Sequence, residues 1–253
     1  GIDANYYYLT ESLCWPILKE IVEEKLMADP EQVNDRMREL SLKLPVDSDI
    51  QIAIRFIEQS ALYYAQVRGL GTLKLNSTKE YIEKYTEEFY LVDLYYRRTL
   101  EAYHKLITKE NPIEQTLSSA KRQLDLEYAK ITNVLNLEWL TCVREKGAWF
   151  TETGLKHQED FYKNESDTSV KQVVIVCDAL RYEVAKELMQ ELAKEKHIAT
   201  IDAYQAMLPT ETKYCKPALL PHHSLELNGT DMMVDGTLLT TSEQRTAHLG
   251  KYR

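Results

Sequence analysis

Two neighbouring segments constrain the fold of this chain more than any other feature. From residue 81 the apolar side chains recur as Tyr81, Tyr85, Phe89, Val92, Tyr96, Leu100, Tyr103 and Ile107. From residue 117 they run Leu117, Ala120, Leu124, Tyr128, Ile131, Leu135, Trp139 and Cys142. Steps of three and four place each series along one helix face. Each helix would exceed about 28 residues, or roughly 40 Å. Only Thr108 to Asn111 separates them, and so short a link joins antiparallel neighbours. The spacing therefore predicts a long αα-hairpin, with Leu124, Ile131, Leu135 and Trp139 buried against Phe89, Val92, Tyr96 and Leu100.

Helix starts are written in the same region. Asp29-Pro30-Glu31-Gln32 combines an N-cap acceptor with a proline at the first helical position. Ser48 with Gln51, and Ser77 with Glu80, have capping-box spacing. Asn111-Pro112-Ile113-Glu114 repeats the first pattern. With 8 Gly and 7 Pro in 253 residues and no fixed-period repeat, the composition suits long helices rather than a turn-rich sandwich. There are 17 tyrosines against 4 phenylalanines. Adjacent pairs such as Tyr63-Tyr64 and Tyr95-Tyr96, and the run Tyr6-Tyr7-Tyr8, cannot all face one core. They read either as half-buried rings with wet hydroxyls or as a surface for a protein partner. His104 and His157 stand alone and read as surface or structural.

Charge and cysteine content narrow the function classes. Of the net charge of -9, the residues from Lys171 onward hold 10 basic and 11 acidic side chains, leaving 21 and 29 before them. An acidic first part is a poor footprint for duplex DNA, although a nucleic-acid target of the wider system stays open. Cys14, Cys142, Cys177 and Cys215 form no C-x-x-C pair, so a disulfide scaffold and a zinc-finger frame are excluded, and buried reduced thiols are expected. Mean hydropathy is -0.43, and no apolar run approaches the roughly 18–20 residues of a membrane span. The opening GIDANYYYLT is polar and aromatic, unlike a secretory leader. A cytoplasmic protein is expected.

The pattern changes at HQEDFYKNESDTS, residues 157–169, which is nearly free of apolar residues and reads as a linker. The expected division is a helical domain over 1–156, a linker over 157–170 and a second domain over 171–253. Val173-Val174-Ile175-Val176-Cys177 reads as a strand buried on both faces of a parallel sheet. Arg181 to Lys196 has helical spacing, and IATIDAY after His197 reads as a second strand. Strand, helix and strand make a βαβ unit, whose ligands bind at strand carboxyl ends. Asp178 stands at one such end and Leu208-Pro209-Thr210-Glu211-Thr212 at the other. Position alone leaves Asp178 open as phosphoacceptor, metal ligand, helix cap or solvated charge. A receiver-like phosphoacceptor needs a nearby acidic pair and a later lysine, neither of which is evident.

VVIVCDALRYEVAKEL, with MLPTETKYCKPALLPHH after it, resembles the PglZ domain of bacterial phage-exclusion systems of the BREX type. VDG at 234–236 and Arg245 resemble the next segment of that domain. The PglZ domain is similar to the alkaline phosphatase superfamily. The resemblance covers roughly 170–253 and implies an α+β or α/β architecture, with an all-helical domain ahead of part of a phosphatase-like domain. It implies a metal-dependent phosphohydrolase acting on phosphoester bonds, with Thr212 as nucleophile and Asp178 and Thr212 at a divalent metal, zinc being the expected ion. Asp178 and Thr212 would then lie within about 4–7 Å of each other, close enough to share a metal. Arg181 and Thr210 are the substrate-binding candidates. A threonine hydroxyl is a poor nucleophile near neutral pH, and a metal touching it favours the alkoxide.

Two features depart from that family. Pro217 is expected to delay the next helix to about Lys216. The superfamily's later ligands, in Asp-x-x-x-His and Asp-His motifs, have no counterpart. Only His222-His223, His248, Asp231 and Asp235 occur in that stretch, none in that context. The resemblance thus implies part of a longer protein, inactive by itself. The rival reading is a catalytically silent scaffold whose helical domain docks other phage-defence components. No membrane partner is implied.

Overall fold

The computed structural model describes residues 4–44, 48–146, 153–167 and 169–252, with the side chains of all but 4–11 and 146. Two compact units divide at Gly147–Ala148.

The first unit is all helical. Its elements are α1 (Ala4–Glu20, running into a π turn at Ile21–Lys25), α2 (Pro30–Ser41), α3 (Asp49–Gly69), α4 (Thr78–Lys84), α5 (Tyr90–Leu106) and α6 (Glu114–Lys146). The start signals act as local chemistry dictates. Asp29 Oδ1 accepts from the Gln32 N–H at 3.2 Å, with Pro30 opening α2. Ser48 and Ser77 cap α3 and α4 through Gln51 N–H and Glu80 N–H, at 3.3 and 3.1 Å. Neither is a full capping box. The Gln51 amide turns to the carbonyls of Ser41, which ends α2, and of Leu44 beyond it, and Glu80 accepts from Asn76 N–H. Asn111 caps nothing. The α6 ladder opens two residues later, where Leu117 N–H reaches the Ile113 carbonyl.

The first stripe is one continuous helical run, with a π turn at Tyr85–Phe89 between α4 and α5. The wider turn absorbs two successive steps of four, Tyr81 to Tyr85 to Phe89. The hairpin forms with a single antiparallel register. Tyr128 donates to Asp93 at 2.7 Å, Tyr96 to Asp125 at 3.1 Å, and Tyr103 meets Ser118 at 3.0 Å. Each step along α5 is matched by an equal step back along α6. Of the eight residues expected at this seam, Leu124, Phe89 and Val92 are buried and the other five half-buried.

The greater share of α5's packing lies against α3, which also packs on α2. Ile50, Ile54, Phe56, Ile57, Gln59, Ser60, Ala61 and Tyr63 are all buried, so α3 is covered over most of its circumference, the mark of a central helix. Tyr63 and Tyr64 are buried outright rather than half wet. Burial is the first cause pushing both hydroxyls up, to about 12 for Tyr64. The side chains of Tyr6-Tyr7-Tyr8 lie outside the described residues. No helix of the described residues is long and apolar enough to cross a membrane.

The second unit is α/β. It contains β1 (Lys156–His157), a 3-10 turn at Gln158–Asp160, α7 (Phe161–Glu165), α8 (Tyr182–Lys194), β2 (Tyr204–Gln205) and α9 (Thr212–Ala218). It continues with β3 (Leu225–Asn228), β4 (Asp231–Val234), β5 (Thr237–Leu238) and α10 (Ser242–Leu249). β1 pairs in parallel with β2, Lys156 opposite Tyr204. β3, β4 and β5 form an antiparallel meander. Its second turn, Asp235-Gly236, has φ of 48° and 72°. Left-handed residues at both positions suit the twist of a two-residue hairpin.

Three expectations are corrected here. Residues 157–165, read as linker, hold the end of β1, the 3-10 turn and α7. Their polar composition concealed long-range anchors, among them Phe161 packed edge-on to Tyr204 at 5.8 Å. The strand expected at 173–177 is in no ladder among the described residues, and Val173 and Ile175 are 80% and 81% exposed. Val and Ile favour a pleated, half-buried surface, and without a neighbouring strand that preference goes unmet. The second strand likewise keeps only Tyr204 of its expected span. The helix between them forms as expected. Cys14 and Cys142 are buried and in no disulfide, whereas Cys177, in the run that joins no ladder, is exposed.

Candidate functional site

Asp178 follows the apolar run in a turn whose next residue, Ala179, has φ of 56°. Its carboxylate reaches across to α9, where Lys216 Nζ lies 2.7 Å from Asp178 Oδ2. Thr212 is the first residue of α9. Lys216 is four residues on, hence on the same helix face. One ion pair therefore ties the turn of the first motif to the helix opened by the second. Both partners are partly exposed, which limits the contact's worth to stability.

The helix start corrects the expectation drawn from Pro217. α9 begins at Thr212, not near Lys216, because the Glu211 carbonyl accepts from both Tyr214 and Cys215 N–H at 2.9 Å. Pro217 lies in the last turn, where it removes one ladder bond and the helix then closes through i→i+3 bonds at Leu219 and Leu220.

Thr210 lines an open cleft of about 480 Å³ with Cys177, Ala179, Leu180 and Cys215. It thus shares a space with the residues flanking Asp178. Burial pushes the Cys215 thiol up, against a hydrogen bond from Gln158 that lowers it, so Cys215 is no ready thiolate. Arg181 is held otherwise than expected. It precedes α8, and its Nε stands 2.8 Å from Glu183 Oε1. Glu183 is fully buried. A buried carboxylate needs such a partner, so the pair fixes the start of α8 and leaves Arg181 already engaged.

Sequence reasoning missed three residues of this site. Lys216 carried a signal, one helical turn after Thr212. Glu183 stood in the same DALRYE string as Asp178 and Arg181. Gln158 carried none, yet its amide binds the Cys215 carbonyl and accepts from Met207 N–H, both at 3.1 Å. It clasps the two ends of the segment holding Thr210 and Thr212.

The scattered candidates further on are structural. Asp235 Oδ1 accepts from the His223 and Ser224 N–H groups and Oδ2 from the Tyr252 hydroxyl, all at 2.8 Å. Burial works against its charge, but these bonds hold its carboxyl at about 2. His222 and the buried His248 each bond a carbonyl, of Leu220 at 2.7 Å and Pro221 at 2.6 Å. Among the described residues no group of three His, Cys, Asp or Glu could hold a metal ion. With Asp178 already paired to Lys216, the residues present do not fit a divalent metal by themselves.

The BREX system PglZ alkaline phosphatase-like domain is the family whose model matches, over residues 158–253. Alkaline phosphatase-like protein PglZ of Bacillus cereus (strain H3081.97) is 27% identical over 209 residues, covering 77% of this chain and 24% of that protein. Alkaline phosphatase-like protein BrxZ of Escherichia coli O9:H4 (strain HS) is 33% identical over 110 residues, covering 40% of this chain and 13% of that protein. The chain thus spans a quarter or less of the length of these relatives. No solved structure matches it. Residues 158–253 are therefore similar to the BREX system PglZ alkaline phosphatase-like domain.

Proposed function

We propose that this chain supplies part of a phosphohydrolase centre in a BREX phage-defence protein, with Thr212 as nucleophile. The observation carrying the reading is the Asp178–Lys216 pair, which joins the two family motifs across 38 residues of sequence. In this reading the Thr212 oxygen bonds to phosphorus as the P–O ester bond breaks, the hydroxyl proton passes to the leaving oxygen, which departs as an alcohol, and water then cleaves the Thr212 phosphoester, releasing the phosphate and restoring the hydroxyl. Lys216 holds Asp178 beside α9, the helix that Thr212 opens. Thr210 and Arg181 border the substrate. Asp178 would ligate a divalent cation, zinc being the expected ion, only in company with further ligands, so no step is routed through it. Other BREX components are the natural partners, and the acidic helical unit argues against direct duplex contact.

The test is turnover of a chromogenic phosphodiester. The 253-residue chain should show little or none. A protein spanning the relatives' full length should turn over, and Thr212→Ala should lower that by about 1,000-fold or more, as for loss of a nucleophile. Thr210→Ala should cost far less. Equal turnover in Thr212→Ala and its parent would overturn the assignment. Robust turnover by the 253-residue chain would show that its own residues complete the centre. A silent full-length protein would favour the scaffold reading.

A further inference from the structure

The first unit holds a cleft of about 470 Å³ between the α4–α5 run and α6. Tyr81, Tyr85, Phe89, Tyr128 and Trp139 wall it, and Asp93 lies among them. Tyr85, Tyr128 and Trp139 are half-buried, so the cleft opens to solvent. Its size falls in the range of about 300–1,000 Å³ typical of ligand sites. The π turn at Tyr85–Phe89 keeps Tyr85 and Phe89 on the face of Tyr81, and such turns recur at functional sites.

The walls are held in place before any ligand arrives. Tyr128 stacks on Tyr96 at 3.7 Å and 3°. Tyr81 meets Trp139 edge-on at 5.6 Å, and its hydroxyl is fixed by the Leu75 N–H and the Leu73 carbonyl. Asp93 is oriented twice, each carboxylate oxygen accepting from a tyrosine hydroxyl at 2.7 Å, Tyr85 on one side and Tyr128 on the other. Those donors are neutral. They aim the carboxylate without cancelling its charge, and each oxygen keeps a lone pair. Aromatic faces around an aimed carboxylate attract a cation carried on an apolar stem. A flat guanidinium suits this best, since it stacks on rings and offers a fork to a planar carboxylate.

We propose that this cleft is a docking site for an arginine side chain presented by a partner protein. The site lies in the helical unit and stands independently of the phosphohydrolase reading. The acidic balance of the first 170 residues favours a basic partner segment.

Calorimetry on the whole 253-residue chain, with Trp139 emission as second readout, tests it. The probes are an acetyl-Gly-Arg-Gly-amide peptide, its citrulline twin and methylguanidinium. The arginine peptide should bind saturably, with the citrulline twin and Asp93→Asn each about tenfold weaker or worse, a factor set by one charge-assisted contact. Asn136→Arg, at the exposed rim of the cleft, should abolish binding by placing the chain's own guanidinium there, with the helical circular dichroism unchanged. Equal affinity for the citrulline peptide would mean an apolar groove without charge selection and would overturn the proposal. So would binding of methylguanidinium alone, which marks a small-cation site. No binding of the arginine peptide, or binding indifferent to both variants, would also end it.

Discussion

The two units of this chain solve the same problem in different ways. In the helical unit a large buried cluster runs from Cys14 through α3 to Leu124, beside a smaller one of Leu75, Tyr81, Phe89 and Cys142, and the largest members of the first, Tyr63 and Phe56 among them, are fully buried. In the second unit the most apolar run, Val173 to Val176, is exposed, and burial falls instead on scattered residues such as Tyr214, Ala218, Val234 and Leu239. The difference lies in how the elements satisfy themselves. A helix closes its hydrogen bonds locally and needs a neighbour only for one face. A strand needs neighbours for its backbone as well as its side chains. An apolar stripe on a helix therefore finds its core among nearby helices, while an apolar strand without ladder partners keeps its side chains in water.

The contrast can be broken by mutation. The largest effect expected is in the helical core, where Leu124→Ala should cost about 2–5 kcal/mol. Urea unfolding followed by helical circular dichroism measures it, and a loss under about 1 kcal/mol would deny this unit its packed core. Caps should matter less. Ser77→Ala in the first unit and Thr241→Ala in the second should each cost about 1 kcal/mol. Thr241 is the stronger test, because its capping box is complete, with Gln244 bonded in both directions. Smallest should be Ile175→Ser, within about 0.5 kcal/mol, since an exposed side chain has little burial to lose. A larger cost would mean that the run is covered after all.

Acid sharpens the comparison differently. Asp235 has a folded value of about 2, below the roughly 3.9 of an unfolded aspartate. Its contribution is fully present above about pH 4 and lost as pH falls toward 2. The second unit should therefore lose stability across that window, and Asp235→Asn should flatten this part of the pH profile. Unfolding midpoints at pH 5, 4, 3 and 2 would decide it, and identical profiles for the two proteins would remove Asp235 from the account.

Much of the fold was legible because its signals are short in range. Asp29, Ser48 and Ser77 cap helices through N–H groups three residues away, and the two stripes disclosed a hairpin whose link is a few residues long. The meander too has local signals, Asn228-Gly229 and Asp235-Gly236, although its strands were not expected from the pattern. The candidate site was legible only as two motifs, Asp178 with Arg181 and Thr210 with Thr212. Which groups engage them was not.

By itself, then, the sequence determined the helices of the first unit and α8, most of their starts, the antiparallel pairing of α5 and α6, and the resemblance of residues 158–253 to the PglZ domain. Tertiary structure alone decided that α3 is central, that Gln158 clasps the loop of Thr210, that Lys216 takes Asp178, and that Asp93 sits between two tyrosine hydroxyls. The physical reason is range. Periodicity and capping act within about four residues of chain, inside one helical turn. The Lys216–Asp178 pair spans 38 residues, Gln158 to Cys215 spans 57, and Tyr128 to Asp93 spans 35. Contacts of that reach depend on where whole elements pack, and no local pattern of residue types encodes them.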